Sequence, residues 1–174
     1  CGPVVAHMEA KVLSPDPEHI PGELVARGLN VMLGYYKNEE ATRAVIDEDG
    51  WFHTGDLATM APSGHFYIKG RIKNMLLGAN GQNVYPEEIE DKLNSMAESI
   101  IIQRSNKLVA LVHPEIEDKE DMNFDDDDVK GIMDENLKTL NSQLPPFCKI
   151  AAIEIQKEEF QKTAKKSIKR YLYK

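Results

Sequence analysis

A chain of 174 residues with 41% apolar content can bury the core of one domain, or of two small ones. Its formal net charge of −8 argues against a nucleic-acid binder that works by bulk electrostatics; only the C-terminus carries a local basic patch. Cys1 and Cys148, at opposite ends, give neither a disulfide framework nor a metal spacing, which fits a reducing, cytoplasmic setting, and no apolar run approaches the ~18 residues of a membrane span.

Met8 to Leu13 alternates weakly and reads as a strand. Ser14 to Pro21, with its prolines and acids, is a surface loop, and Gly22 to Arg27 is a second strand ended by Gly28. Leu29 to Tyr36 is apolar and aromatic around Gly34. Asn38 then caps a short helix whose first turn holds Glu39, Glu40 and Ala41, where negative charge suits the helix dipole. Asp47 to Gly50 is a turn, Trp51 to His53 leaves it as a strand, and Thr54-Gly55-Asp56 reads as another tight turn. Leu57 to Met60 and His65 to Lys69 pair as a hairpin across Pro62-Ser63-Gly64.

After Arg71 the pattern changes. Ile72 to Leu77 reads as a short strand, and a loop from Gly78 to Asn83 follows. Pro86 opens a helix at a position where its missing N–H costs nothing; Glu87, Glu88 and Glu90 favour the same helix end, and Ile89, Leu93 and Met96 form its apolar face. Glu98 to Arg104 and Lys107 to His113 are paired strands over Ser105-Asn106. A helix from about Asp127 to Leu144 carries Val129, Ile132, Met133, Leu137, Leu140 and Leu144 at helical spacing, and Pro145-Pro146 stops it. Lys149 to Ile155 is a last strand, before a strongly basic tail from Phe160 to Lys174. This order gives a compact α+β unit of about 100 residues beginning at Gly70 to Lys73. The acidic run from Glu115 to Asp128 lacks the ligand spacing and central glycine of a calcium loop and reads as a solvated loop leading into a helix.

Three features have chemistry to offer. Asp56, on a stiff segment, has two acceptor oxygens that match a cis-diol such as a ribose; the alternative is a turn aspartate bonded to its own backbone. Arg71 can fork onto a phosphate or a pair of hydroxyls, or is an ordinary surface arginine. The Gly78 to Gly81 loop allows close backbone approach and N–H donation to a ligand, or is an ordinary loop. His53 and His65 have no visible partner and read as structural. No His/Cys metal constellation, nucleophile with its base, or phosphate loop of the G-x-x-x-x-G-K-[ST] type is present.

Taken in order, GELVARGLNVMLGYYKNEEAT, WFHTGDLA, GRIKNMLLGANGQNVYPEEIE and KTAKKSIKR resemble the C-terminal third of the adenylate-forming acyl-CoA synthetases, and the long-chain fatty acid–CoA ligases most of all. Each motif is weak alone; together, in this order and spacing, they are specific. The resemblance implies an α+β chain in two pieces: residues 1–70 as the β-rich end of a large AMP-binding domain and 74–174 as a small mobile domain, with a hinge at 71–73 centred on Lys73. It implies a ligase using ATP, CoA and a fatty acid, with AMP as product and Mg2+ held by residues outside this stretch. Asp56 would bind the ribose hydroxyls and Arg71 the ribose or nearby phosphate, and the loop at Gly78 and Gly81 would face the CoA pantetheine. The family tail reads Lys-Thr-x-x-Gly-Lys-Ile-x-Arg, with the second lysine on the reacting carboxylate and α-phosphate. Here Ser167 stands in its place, so Lys166 is the substitute and Lys165 the next.

The opening CGPVVA, core-like and without an initiator Met, resembles the sequence just after the family's aromatic-Gly-x-Thr-Glu motif. The expectation is therefore a fragment whose partner is a missing N-terminal large domain. It would be inactive as a ligase and bind AMP weakly, leaving any peripheral membrane contact to the parent protein. The alternatives are an adenylation domain that loads a carrier-protein thiol and a non-catalytic nucleotide or acyl binding module.

Overall fold

The computed structural model describes residues 2–78, 80–93, 97–113 and 127–173. It divides into two compact units, Cys1–Asn74 and Met75–Lys174.

The first unit is one antiparallel sheet in the order β1-β2-β3-β4, made of β1 (Met8–Leu13), β2 (Gly22–Gly28), β3 (Phe52–Met60) and β4 (Phe66–Arg71). Its core is small: Val12, Ala58 and Phe66, with Ala10, Leu24 and Met60 packed against them. The helix α1 (Glu39–Arg43) begins as its sequence demands, with the Asn38 side chain accepting the Ala41 N–H at 3.0 Å. Two readings need correction. Thr54-Gly55-Asp56 does not turn the chain; it lies inside the nine-residue strand β3 as a bulge. Ile72 to Leu77 is not one strand, because Ile72–Asn74 winds into a 3-10 turn and only Leu76–Leu77 (β5) is extended.

In the second unit β5 pairs with β6 (Asn83–Val84) as a short hairpin, and α2 (Pro86–Leu93) follows with Pro86 at its first residue. β7 (Glu98–Arg104) and β8 (Lys107–His113) pair antiparallel across a turn in which both Ser105 and Asn106 have positive φ, the geometry of a two-residue hairpin loop. β9 (Ile150–Ile155) lies parallel to β8, so the chain needs a crossover between them, and α3 (Asp127–Ser142) lies in that connection. The helix stops two residues short of the expected Leu144, which is nonetheless buried. Met96 and residues 115–126 of the acidic run lie outside the described residues, as do the side chains of Val129 and Ile132.

The sheet β7-β8-β9 is buried on both faces. On one, Ile101, Leu108, Ala110 and Ile150 pack with Val84, Ile89, Leu140 and Leu144 from the hairpin and helices. On the other, Ile100, Ile102, Val109 and Leu111 pack with Phe160, Ile168 and Tyr173. The continuous Ile100-Ile101-Ile102 run requires this, because successive residues of a strand point to opposite faces and all three are apolar. The C-terminal segment is thus the second cover of the sheet rather than a free basic tail. No helix among the described residues is long and apolar enough to cross a membrane.

Candidate functional site

The bulge in β3 is the most heavily braced stretch of the first unit. Glu23 pairs with Leu57 and Val25 with His53, so Thr54, Gly55 and Asp56 all face Leu24. Gly55 supplies the left-handed step with φ +70. A Cβ there would sit 3.7 Å from an Arg71 guanidinium nitrogen, an ordinary contact, so the glycine is required by conformation and not by space. Several of the displaced polar groups find partners. Thr54 Oγ1 donates to the Leu24 carbonyl at 2.7 Å and accepts the Asp56 N–H at 3.0 Å. The Gly55 N–H donates to Glu23 Oε1 at 3.1 Å. The Thr54 carbonyl accepts from Arg71 Nη1 at 3.0 Å.

Asp56 and Arg71 stand directly opposite each other across β3 and β4, and Arg71 Nε lies 2.7 Å from Asp56 Oδ1. Both side chains remain open to solvent, Arg71 at 52% and Asp56 at 27% of full exposure. The arrangement is an acceptor and a fixed fork of donors on one sheet edge, positioned before any ligand arrives. That set suits vicinal hydroxyls: a carboxylate accepts from them and a guanidinium donates to them. Lys73 is exposed in the 3-10 turn that follows.

The other expected site residues fall in the second unit. Gly78 and Gly81 lie at the tip of the β5–β6 hairpin. Gly78 is buried, and a Cβ there would come within 3.1 Å of the Gln82 carbonyl oxygen; Gly81 has φ +78. Their N–H groups close the hairpin, Gly78 to the Gln82 carbonyl at 2.8 Å and Gly81 to the Gly78 carbonyl at 2.9 Å. The glycines therefore shape the loop, and its exposed polar edges are Asn80 and Gln82, hydrogen bonded to each other at 2.8 Å.

Lys165 and Lys166 lie at the tip of a second small hairpin, closed by Thr163 N–H to the Ser167 carbonyl at 2.8 Å and by a bridge between Lys162 and Ile168. Lys166 has φ +61, a left-handed conformation that favours glycine. Lys165, Lys166 and Ser167 are all exposed. The base of the hairpin is locked: Lys162 pairs with Glu98 at 3.0 Å and Glu159 at 2.8 Å, and the Tyr173 hydroxyl accepts the Gln161 N–H at 2.8 Å.

Two groups of residues escaped sequence reading. Glu90, expected as an acid at a helix start, is only 4% exposed. Its Oε1 accepts the Ile101 N–H at 2.6 Å and Arg170 Nη1 at 2.7 Å, while Oε2 pairs with Arg170 Nη2. This pair caps the open edge of β7 and ties the tail to α2. Burial pushes the Glu90 carboxyl up, while Arg170 and the Ile101 N–H pull it down. The second group is Glu23, His53 and Asp47, which meet at the foot of the bulge. No partner for His53 is visible in the sequence; in the structure Nδ1 lies 2.8 Å from Glu23 Oε2 and Nε2 lies 3.6 Å from Asp47 Oδ2. The Glu23 contact has no local signal, since that partner is 30 residues away in sequence. His65 has a modest partner, Ser63 Oγ at 3.0 Å. Among the described residues no group of three or more His, Cys, Asp or Glu could hold a metal ion.

No protein-family model matches the sequence. Solved structures do match its fold over nearly its whole length. O-succinylbenzoate coenzyme A synthetase from Bacillus subtilis, in complex with AMP, superposes with a TM-score of 0.78 at 22% identity, covering 98% of this chain and 34% of the other. The fold is that of the adenylate-forming enzymes. In sequence, a feruloyl-CoA synthase of Amycolatopsis is 42% identical over 89 residues, covering 49% of this chain and 18% of the relative. A long-chain-fatty-acid–CoA ligase, ACSBG2, of Gallus gallus is 42% identical over 91 residues, covering 52% of this chain and 12% of the relative. The chain is thus a relative of the acyl-CoA synthetases and ligases, as its motifs indicate, and these act on acids of different kinds. It spans less than a fifth of the length of these curated relatives.

Proposed function

We propose that these 174 residues are the C-terminal part of a larger, cytoplasmic, ATP-dependent acyl-CoA ligase with a long-chain fatty acid as substrate. The observation that carries this reading is the Asp56–Arg71 pair, held in register on a braced bulge and open to solvent. Asp56 accepts hydrogen bonds from the ribose hydroxyls of ATP, and Arg71 donates to the ribose or the nearby phosphate. In the first half-reaction a carboxylate oxygen attacks the α-phosphorus, the bond to the β-phosphate oxygen breaks, and pyrophosphate leaves. In the second the CoA sulfur attacks the acyl carbon, AMP leaves as its bond to that carbon breaks, and the thiol proton passes to solvent.

Lys166 supplies positive charge to the first step, with Lys165 next to it. Both sit on an exposed hairpin tip with a locked base, so a long flexible cation is delivered from a fixed point. The 3-10 turn at Lys73 serves as the hinge between residues 1–70 and 74–174, and the loop at Gly78 and Gly81 borders the path of the CoA pantetheine. The long-chain preference rests on the LLGANGQNVYPEEIE loop, which resembles that branch of the family.

The test is ATP–pyrophosphate exchange by the longer protein, with palmitate and with ferulate as the acid. Exchange that depends on palmitate is expected, and Lys166→Ala should slow it by about a hundredfold. Exchange with ferulate alone removes the long-chain assignment. If neither Lys166→Ala nor Lys165→Ala slows the reaction, the tail has no catalytic role and Ser167 marks a lost lysine.

A further inference from the structure

Asp56 is held in place by its neighbours in the sheet, and one of them has no signal in the sequence. The bulge that displaces Asp56 from the regular ladder is gripped from β2 by Glu23. One carboxylate oxygen takes the Gly55 N–H at 3.1 Å, and the other lies 2.8 Å from His53 Nδ1. Glu23 therefore spans the start and the middle of the bulge. It holds the N–H of the Thr54–Gly55 peptide, Arg71 holds that peptide's carbonyl, and the Thr54 hydroxyl holds the Asp56 N–H. Removing the Glu23 carboxylate would free the Gly55 peptide, at the one left-handed step on which the bulge depends.

We propose that Glu23, with His53 behind it, is a positioning pair for the nucleotide ribose, holding Asp56 and Arg71 at the spacing that vicinal hydroxyls require. The inference rests on the reading of Asp56 as a ribose acceptor. A charged His53 donates from Nδ1 to Glu23 and points Nε2 towards Asp47, which keeps the Glu23 carboxylate aimed at Gly55. The charged groups that face this cluster are Glu23 on β2, Asp47 in the turn before β3, and Arg27 on β2, which donates to the Asp49 carbonyl at 3.3 Å and sits in the field of Asp47. The carboxylates dominate at the imidazole. The Glu23 hydrogen bond, then burial acting the other way, then the charges of Glu23 and Asp47, hold His53 above its ordinary range. The grip is thus tightest while His53 is charged and slackens as pH rises through its titration.

The test uses the 174-residue chain and adenosine as probe, because adenosine carries the ribose without a phosphate that titrates at a pKa of about 6. Four variants are compared with the parent by amide exchange at Gly55 and by adenosine titration across pH 6 to 9, an interval on the order of the His range and above. Glu23→Ala should speed Gly55 exchange by at least about tenfold and weaken adenosine by a similar factor. Glu23→Gln, which keeps an acceptor for Gly55, should restore most of the protection but abolish the pH dependence of affinity. In the parent, affinity should fall as pH rises through the His53 titration, and His53→Gln should flatten that profile. Unchanged affinity in Glu23→Ala, or a pH profile that survives His53→Gln, overturns the proposal. Asp56→Asn separates it from the reading beneath it. Adenosine binding should be lost there while Gly55 stays protected; if binding persists, the ribose assignment fails and the positioning role fails with it.

Discussion

The bulge of β3 and the hairpin at Lys165–Lys166 solve opposite problems. In the bulge the polar groups displaced from the ladder are paired, and the side chains that would meet a ligand, Asp56 and Arg71, are paired with each other. At the hairpin the backbone is closed on itself and the base is fixed by Glu90–Arg170 and by Lys162 between two glutamates, while the lysine side chains at the tip stand exposed. A seat for a rigid ribose benefits from a stiff frame prepared in advance. A cation that must meet charge developing in a reaction benefits from reach, provided its anchor does not move.

That contrast can be broken most forcibly at the anchor. Arg170→Met leaves the Glu90 carboxylate buried without its partner and should destabilise the second unit by about 3–5 kcal/mol in denaturant unfolding. The double variant Glu90→Leu/Arg170→Met should recover a good part of that loss, because no isolated charge is then buried. If Arg170→Met unfolds like the parent, the tail is not anchored through this pair.

At the frame the expected effect is smaller. Thr54→Val strips the Leu24 carbonyl and the Asp56 N–H of their shared partner and should cost the first unit about 1–3 kcal/mol. Asp56 should also lose amide protection while Lys166 does not. Smallest, and of opposite sign, is Lys166→Gly: a left-handed residue becomes one that adopts that conformation freely, so the second unit should gain about 1 kcal/mol in the same measurement. A loss of stability there would mean that the Lys166 side chain holds the hairpin together.

What could be read from sequence follows from how local the cause is. The Asn38 cap, Pro86 at a helix start, the Ser105-Asn106 turn and the Ile100-Ile101-Ile102 strand are fixed by residues next to each other, and each stands where its chemistry puts it. Thr54-Gly55-Asp56 reads as a turn because a left-handed glycine flanked by short polar residues serves a turn and a bulge equally well. Only the flanking pairs, Glu23 with Leu57 and Val25 with His53, decide between them. Glu90 is harder still, since an acid near a helix start has a sufficient local explanation and its true partner is 80 residues away. Asp56 and Arg71 were legible as candidates, whereas their mutual contact needed the register of β3 on β4.

The Asp56–Arg71 contact is proposed to be a ribose seat. The most direct measurement is an AMP titration of the 174-residue chain followed through the backbone amides of the parent and of Asp56→Asn. Weak binding that shifts Thr54, Gly55, Asp56 and Arg71 is predicted, with affinity at least about tenfold lower in the variant. Equal affinity in the two, or shifts confined to other residues, would contradict it.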